Sequence, residues 1–145
     1  MSSVVSRLPC LITLVILWFA SVSAASAQAT YEAYSSERLA SLQAEGKTVL
    51  VDVFADWCPT CRAQSVVLDV ALLEPRYAGL AKLKVDWDDQ RDAARALGAP
   101  RQSTLMLFRG GKRLTLSVAE TNDGKLREFL DKGVIDTGVQ SPKAK

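Results

Sequence analysis

The run Thr48-Val-Leu-Val-Asp-Val-Phe54, followed four residues later by Cys58-Pro-Thr-Cys61, constrains this chain more than any other feature. A β-branched apolar stretch without polar alternation reads as a strand buried on both faces, and such a strand needs a covering layer above and below it. A proline directly after Cys58 suits the first turn of a helix, where its missing N–H costs nothing and its φ is preset. The strand therefore hands over to a helix at the cysteine pair. That helix is expected to run through Leu73 and to stop at Pro75.

The other elements follow from spacing and turn chemistry. Ser35-Ser-Glu37 opens a helical pattern with Leu39 and Leu42 inward, and Gly46 closes it. Ala81–Asp86 reads as a second strand and Gln90–Leu97 as a second crossover helix. Thr104–Phe108 and Arg113–Val118 flank a Gly-Gly turn and form a β-hairpin. Asp123–Lys132 is a last amphipathic helix, with Leu126, Phe129 and Leu130 on one side. Strands joined by helices lie parallel, and the closing hairpin adds antiparallel strands. The expected architecture is α/β, a mixed central sheet flanked by helices on both faces in three layers. It occupies residues 28–132, with a loose tail over 133–145.

Residues 1–27 are set aside as a leader. Arg7 is the only charged side chain in the first 31 residues, and the short apolar run Leu11–Ala20 gives way to small residues through Ala29. A positive start, an apolar run of about 7–15 residues and an A-x-A site make a secretory signal peptide. The run falls short of the roughly 20 residues a spanning helix needs. Cleavage is expected after Ala27, which makes the protein an exported one. Cys10 leaves with the leader. One close pair, Cys58 and Cys61, remains, and it cannot serve as a disulfide framework. The chain contains no histidine, which removes Ser-His-Asp and Cys-His catalysis and every histidine-based metal site. It holds 18 basic and 16 acidic residues, one of the basic ones being Arg7 of the leader. Such balance gives no support for nucleic acid or an anionic membrane surface as a partner.

The cysteine pair carries the chemistry. Cys58 falls at the helix N-cap, where unpaired backbone N–H groups and the positive dipole end face its sulfur. That favours the thiolate and can bring a pKa of about 8.5 into the range of roughly 3.5–7.5. Cys61 lies one turn along, within disulfide reach but turned inward. The spacing yields an exposed attacking sulfur and a shielded resolving one, with Arg62 adding positive charge nearby. Cys58 would be the nucleophile of a mixed disulfide that Cys61 resolves, leaving a Cys58–Cys61 disulfide and requiring no cofactor. Asp52, an acid inside an apolar strand, should have a raised pKa and can accept the Cys61 proton during resolution. Its competing role is a structural ion pair with Lys82 on the neighbouring strand. Trp57, next to Cys58, is expected to flank a substrate groove. Trp87 serves equally well as packing, and Asp86-Trp-Asp-Asp89 reads as solvated loop acids. Two other readings stand beside exchange. The thiolates could form a soft-metal module for copper or an iron–sulfur cluster, or the pair could survive in a redox-inactive, partner-binding relic.

Val51-Asp-Val-Phe-Ala-Asp-Trp-Cys-Pro-Thr-Cys-Arg62 resembles the active-site segment of thioredoxins: strand, buried acid, tryptophan, then the cysteine pair. Ala55-Asp-Trp-Cys58 is especially similar to the periplasmic domain of the membrane-bound thiol:disulfide interchange reductase. Lys82-Leu-Lys-Val-Asp86 and Thr104–Lys112 match the family's next two strands in order, so the resemblance runs from Thr48 to Lys132. It implies a thioredoxin-like fold and a thiol–disulfide oxidoreductase acting on client proteins in the bacterial periplasm. It favours a reductant fed by a membrane-bound electron donor and leaves oxidation or isomerisation open, and the protein is expected to be a monomer. Pro59, Thr60, Arg62, Lys82, Ser103 and Thr104 would shape the site with Trp57. One departure stands out. Thioredoxins place a cis-proline, facing the pair, just before the strand matched by Thr104–Phe108. Ser103 stands at that position here, with Pro100 three residues earlier. A cis peptide before serine costs roughly 2.5–4 kcal/mol. The loop is therefore expected to be trans and reshaped, unshielding the sulfurs and bringing a hydroxyl beside them.

Overall fold

The computed structural model describes residues 30–135; the expected leader, with Cys10, and residues 136–145 lie outside them. The order is β1 (Glu32–Ala33), α1 (Ser36–Ala44), β2 (Val49–Phe54), α2 (Pro59–Ala71), a 3-10 turn (Pro75–Tyr77), β3 (Ala81–Asp86), α3 (Arg91–Ala96), β4 (Thr104–Arg109), β5 (Lys112–Val118) and α4 (Asp123–Ile135). The five strands form one sheet in the order β1-β3-β2-β4-β5. β3 is parallel to both β1 and β2, whereas β4 runs antiparallel to β2 and to β5. The mixed sheet expected from the helix-linked strands and the hairpin is the one observed.

Side-chain alternation along the two central strands divides the interior. Val49, Val51 and Val53 of β2, with Met106 and Phe108 of β4, pack against Leu39 and Leu42 of α1 and Ala94 of α3. Leu50, Leu105 and Leu107 point the other way, onto Leu68 and Ala71 of α2 and Leu126, Phe129 and Leu130 of α4. Two helices on each face of the sheet make the three layers.

The local signals act as their chemistry dictates. The Ser35 side chain accepts from the Arg38 amide at 3.0 Å and caps α1. Gly110 and Gly111, at φ +54° and +77°, supply the two left-handed residues that a tight hairpin between β4 and β5 requires. The differences from expectation lie at element ends. α2 finishes at Ala71, with Leu72 as its C-cap, and Pro75 opens the 3-10 turn that follows. β1 has only two residues, too few to show a period, and gains its place by pairing with Leu83 and Lys84. The loose tail expected from Gly133 is helix through Ile135. A Cβ on Gly133 would lie 3.2 Å from side-chain carbons of Leu107 and Thr48, so glycine here lets α4 close onto the sheet rather than ending the helix.

Candidate active site

β2 ends at Phe54, and the chain turns so that the Cys58 amide bonds back to the Ala55 carbonyl at 3.1 Å. That turn places Cys58 as the N-cap of α2, with Pro59 in the first helical turn. The Cys58 sulfur accepts the Cys61 backbone N–H at 3.2 Å, doing for this helix what a serine or aspartate oxygen does for others. Both cysteines are free thiols.

Cys58 is not the exposed sulfur expected from the spacing. It is 3 % exposed, close to the 1 % of Cys61. Phe54 and Trp87 pack against the cluster of Ala55, Cys58 and Cys61, and the Ser103 hydroxyl sits against both sulfurs. The loop that was expected to unshield the pair therefore helps to cover it.

The two thiols are nevertheless distinct. Burial pushes the Cys58 thiol up, but hydrogen bonds from the Cys61 thiol, the Ser103 hydroxyl and the backbone amides of Cys61 and Thr60 outweigh it and hold Cys58 below the ordinary cysteine range. Burial also pushes Cys61 up, its hydrogen bond with Cys58 adds to that, and Cys61 stays above the ordinary range. One chain turn thus separates a thiol that ionises readily from one that does not.

Asp52 lies in the centre of β2 and is buried. Desolvation raises its carboxyl to about 6, with Lys84 opposing and Asp69 of α2 adding to the rise. It makes no hydrogen bond to either sulfur among the described residues. The cation beside it is Lys84 and not Lys82. In the β2–β3 register Asp52 pairs with Lys84, whereas Lys82 faces Leu50. A two-residue slip between parallel strands leaves every side chain on the same face, so alternation alone cannot choose between the two lysines. The Lys84 ammonium also lies over the rings of Phe54, at 4.3 Å, and Tyr31, at 4.8 Å. Tyr31 and Asp69 were not singled out in the sequence. Burial, Asp52 and Asp69 together hold the Tyr31 phenol well above its usual range. Nothing near Tyr31 in the sequence marks it as part of this group, because β1 itself carries no signal.

The remaining candidates are arranged as follows. Trp57 is 56 % exposed, and its indole N–H donates to Asp88 at 2.7 Å. Arg62 turns its guanidinium to the Asp56 carbonyl, at 2.7 Å, and away from the sulfurs. Thr104 is buried at the start of β4, its hydroxyl donating to the Arg101 carbonyl at 2.6 Å. Asp86 caps its own loop, accepting from the amides of Asp88 at 2.8 Å and Asp89 at 3.3 Å. Among the described residues no group of three or more His, Cys, Asp or Glu side chains converges to hold a metal ion.

The family model for thioredoxin matches residues 27–132, most of the chain. This chain belongs to the thioredoxin family. Thioredoxin 1 of Nostoc sp. is 33 % identical to it over 109 residues, 74 % of this chain and 96 % of the relative. A thioredoxin of Allochromatium vinosum is 37 % identical over 84 residues, 57 % of this chain and 77 % of the relative. Among solved structures, Trxlp from Edwardsiella tarda matches with a TM-score of 0.66 and 39 % identity, covering 70 % of this chain and 98 % of that one. The protein is accordingly a thiol–disulfide oxidoreductase with a redox-active Cys58/Cys61 pair.

Against that family pattern Ser103 shows its conformation clearly. No described peptide bond is cis, and Ser103 adopts φ +59°. Its amide donates to the Val53 carbonyl, and its carbonyl accepts from the Ala119 amide, both at 2.8 Å. Proline could make neither the torsion nor the first bond, since its φ is fixed near −65° and it lacks the N–H. Pro100 is exposed and takes no part in holding the sulfurs.

Proposed function

We propose that this thioredoxin-family protein is exported and reduces disulfides of client proteins in the bacterial periplasm. The observation that carries the reading is the asymmetry of the pair. Cys58, at the helix N-cap, is held toward thiolate by four hydrogen bonds, while Cys61 is held toward thiol. Cys58 then attacks a client disulfide, and one client sulfur leaves as thiolate. Cys61 gives up its proton and attacks the Cys58 sulfur of the mixed disulfide. The Cys58–Cys61 bond forms, the second client sulfur leaves, and two electrons have passed to the client. Asp52, with its carboxyl at about 6, is the acceptor for the Cys61 proton. Trp57 offers an exposed apolar plate beside the pair for the client chain.

The arrangement of Arg7, Leu11–Ala20 and the small residues through Ala29 supports export with cleavage after Ala27. In an oxidising compartment a reductant needs its dithiol restored, and the likeness of Ala55-Asp-Trp-Cys58 to the periplasmic interchange domain supports a membrane-bound electron donor. The protein acts as a monomer in this scheme.

Equilibration of the purified protein in graded glutathione buffers, with free thiols counted by mass after alkylation, tests the proposal. A potential near about −270 mV fits a reductant, and one near −120 mV would make the protein an oxidant and overturn the direction. A pair that forms no disulfide at any ratio would remove exchange altogether.

A further inference from the structure

We propose that the Ser103 hydroxyl is a catalytic hydrogen-bond donor that follows the negative charge from Cys58 to Cys61 as disulfide exchange proceeds. The inference rests on the exchange reading above and adds a residue to it. Ser103 Oγ lies 3.2 Å from Cys58 Sγ and 3.0 Å from Cys61 Sγ, so one hydroxyl bridges both reacting atoms. It is buried, and its backbone is fixed on both sides by the bonds to Val53 and Ala119. No other side-chain donor except the thiols themselves reaches the pair among the described residues. Arg62 is turned to Asp56, and the remaining partners of the sulfurs are backbone amides, which cannot move.

A hydroxyl has one proton to give and lone pairs with which to accept. In the reduced protein Ser103 donates to the Cys58 thiolate, to which the Cys61 thiol also gives its one hydrogen. When Cys58 bonds to the client sulfur, it carries no charge and no longer competes for the hydrogen. Rotation about Cβ–Oγ then lets the same O–H donate to Cys61 as that sulfur loses its proton and attacks. The hydroxyl keeps its own proton throughout; the proton lost by Cys61 leaves by the Asp52 route. The backbone amide of Cys61 can steady only Cys58. Ser103 is the one group placed to serve both sulfurs in turn.

The test uses a chromogenic aromatic disulfide that releases one coloured thiolate when Cys58 attacks and a second when Cys61 resolves. In stopped flow the first phase rises with reagent concentration and the second does not, so the two are read separately. Ser103→Ala and Ser103→Gly both remove the hydroxyl, and glycine accepts φ +59° without strain. At neutral pH both phases should slow in both variants, by about three- to ten-fold each, since a lost hydrogen bond to an anion is partly offset by greater nucleophilicity of the less stabilised thiolate. The deficit should close at alkaline pH, where both thiols ionise regardless. Slowing of the first phase only, or of neither, overturns the proposal. Slowing in the alanine variant alone traces the effect to backbone strain and overturns it too. A wild-type protein that releases no thiolate in either phase would instead sink the exchange reading itself.

Discussion

Burying a carboxyl group at the centre of a sheet costs stability whenever the group is ionised, and Asp52 makes that cost measurable. Its folded-state value of about 6 lies above the ordinary carboxylate range. Protonation therefore favours the fold: the contribution is fully present below about pH 4, where both states are protonated, and is lost as pH rises through the folded value. Asp52→Asn should be more stable than the wild type by on the order of 2–3 kcal/mol at pH 7, with the gain fading below about pH 4. Urea unfolding at the two pH values checks the sign. The same variant should resolve a mixed disulfide roughly ten- to hundred-fold more slowly, toward the lower end of what a general base supplies. Most of this residue-scale picture was legible, because an acid inside Val51-Asp-Val-Phe54 declares its own burial. The burial of Cys58 was not, since Phe54, Trp87 and Ser103 meet it only once the chain has folded. Nor was the choice of Lys84 over Lys82, which depends on strand register rather than on any local pattern.

At the scale of elements, the strands and helices that bury a periodic face were readable, and those that borrow their stability from a neighbour were not. β2 announces itself through a run rich in branched apolar residues, β4 through the unbroken apolar run Leu105–Phe108, and α1 through its serine cap. β1 exists only because β3 offers it a partner. The end of α4 is not marked locally, because glycine ordinarily closes helices, whereas Gly133 marks a close approach to Leu107 and Thr48. The helix therefore carries Val134 into the core formed with α2 and the sheet. Val134→Ala should lower stability by about 1–2 kcal/mol, seen as a shift in the urea midpoint at constant slope. A shift near zero would mean that the last turn of α4 contributes nothing.

For the whole molecule, the notable fact is that both cores are built on the same strands. Leu50 and Leu107 belong to one, Val49, Val51 and Met106 to the other, and removing β2 or β4 dismantles both at once. Unfolding should be a single cooperative transition. Trp57 and Trp87 report on the active-site end, and far-UV circular dichroism reports on the whole. The two denaturation curves are expected to superimpose, and an earlier tryptophan transition would reveal an active-site end that melts independently.

Ser103 and Ala119 are the only non-glycine residues with left-handed torsions among those described, at φ +59° and +55°, and one is hydrogen-bonded to the other. Their hydrogen bond fixes the backbone that carries the Ser103 hydroxyl when the chain folds. The entropy of placing that one donor against the sulfurs has therefore already left the reaction barrier, whatever uncovering of Cys58 a client requires.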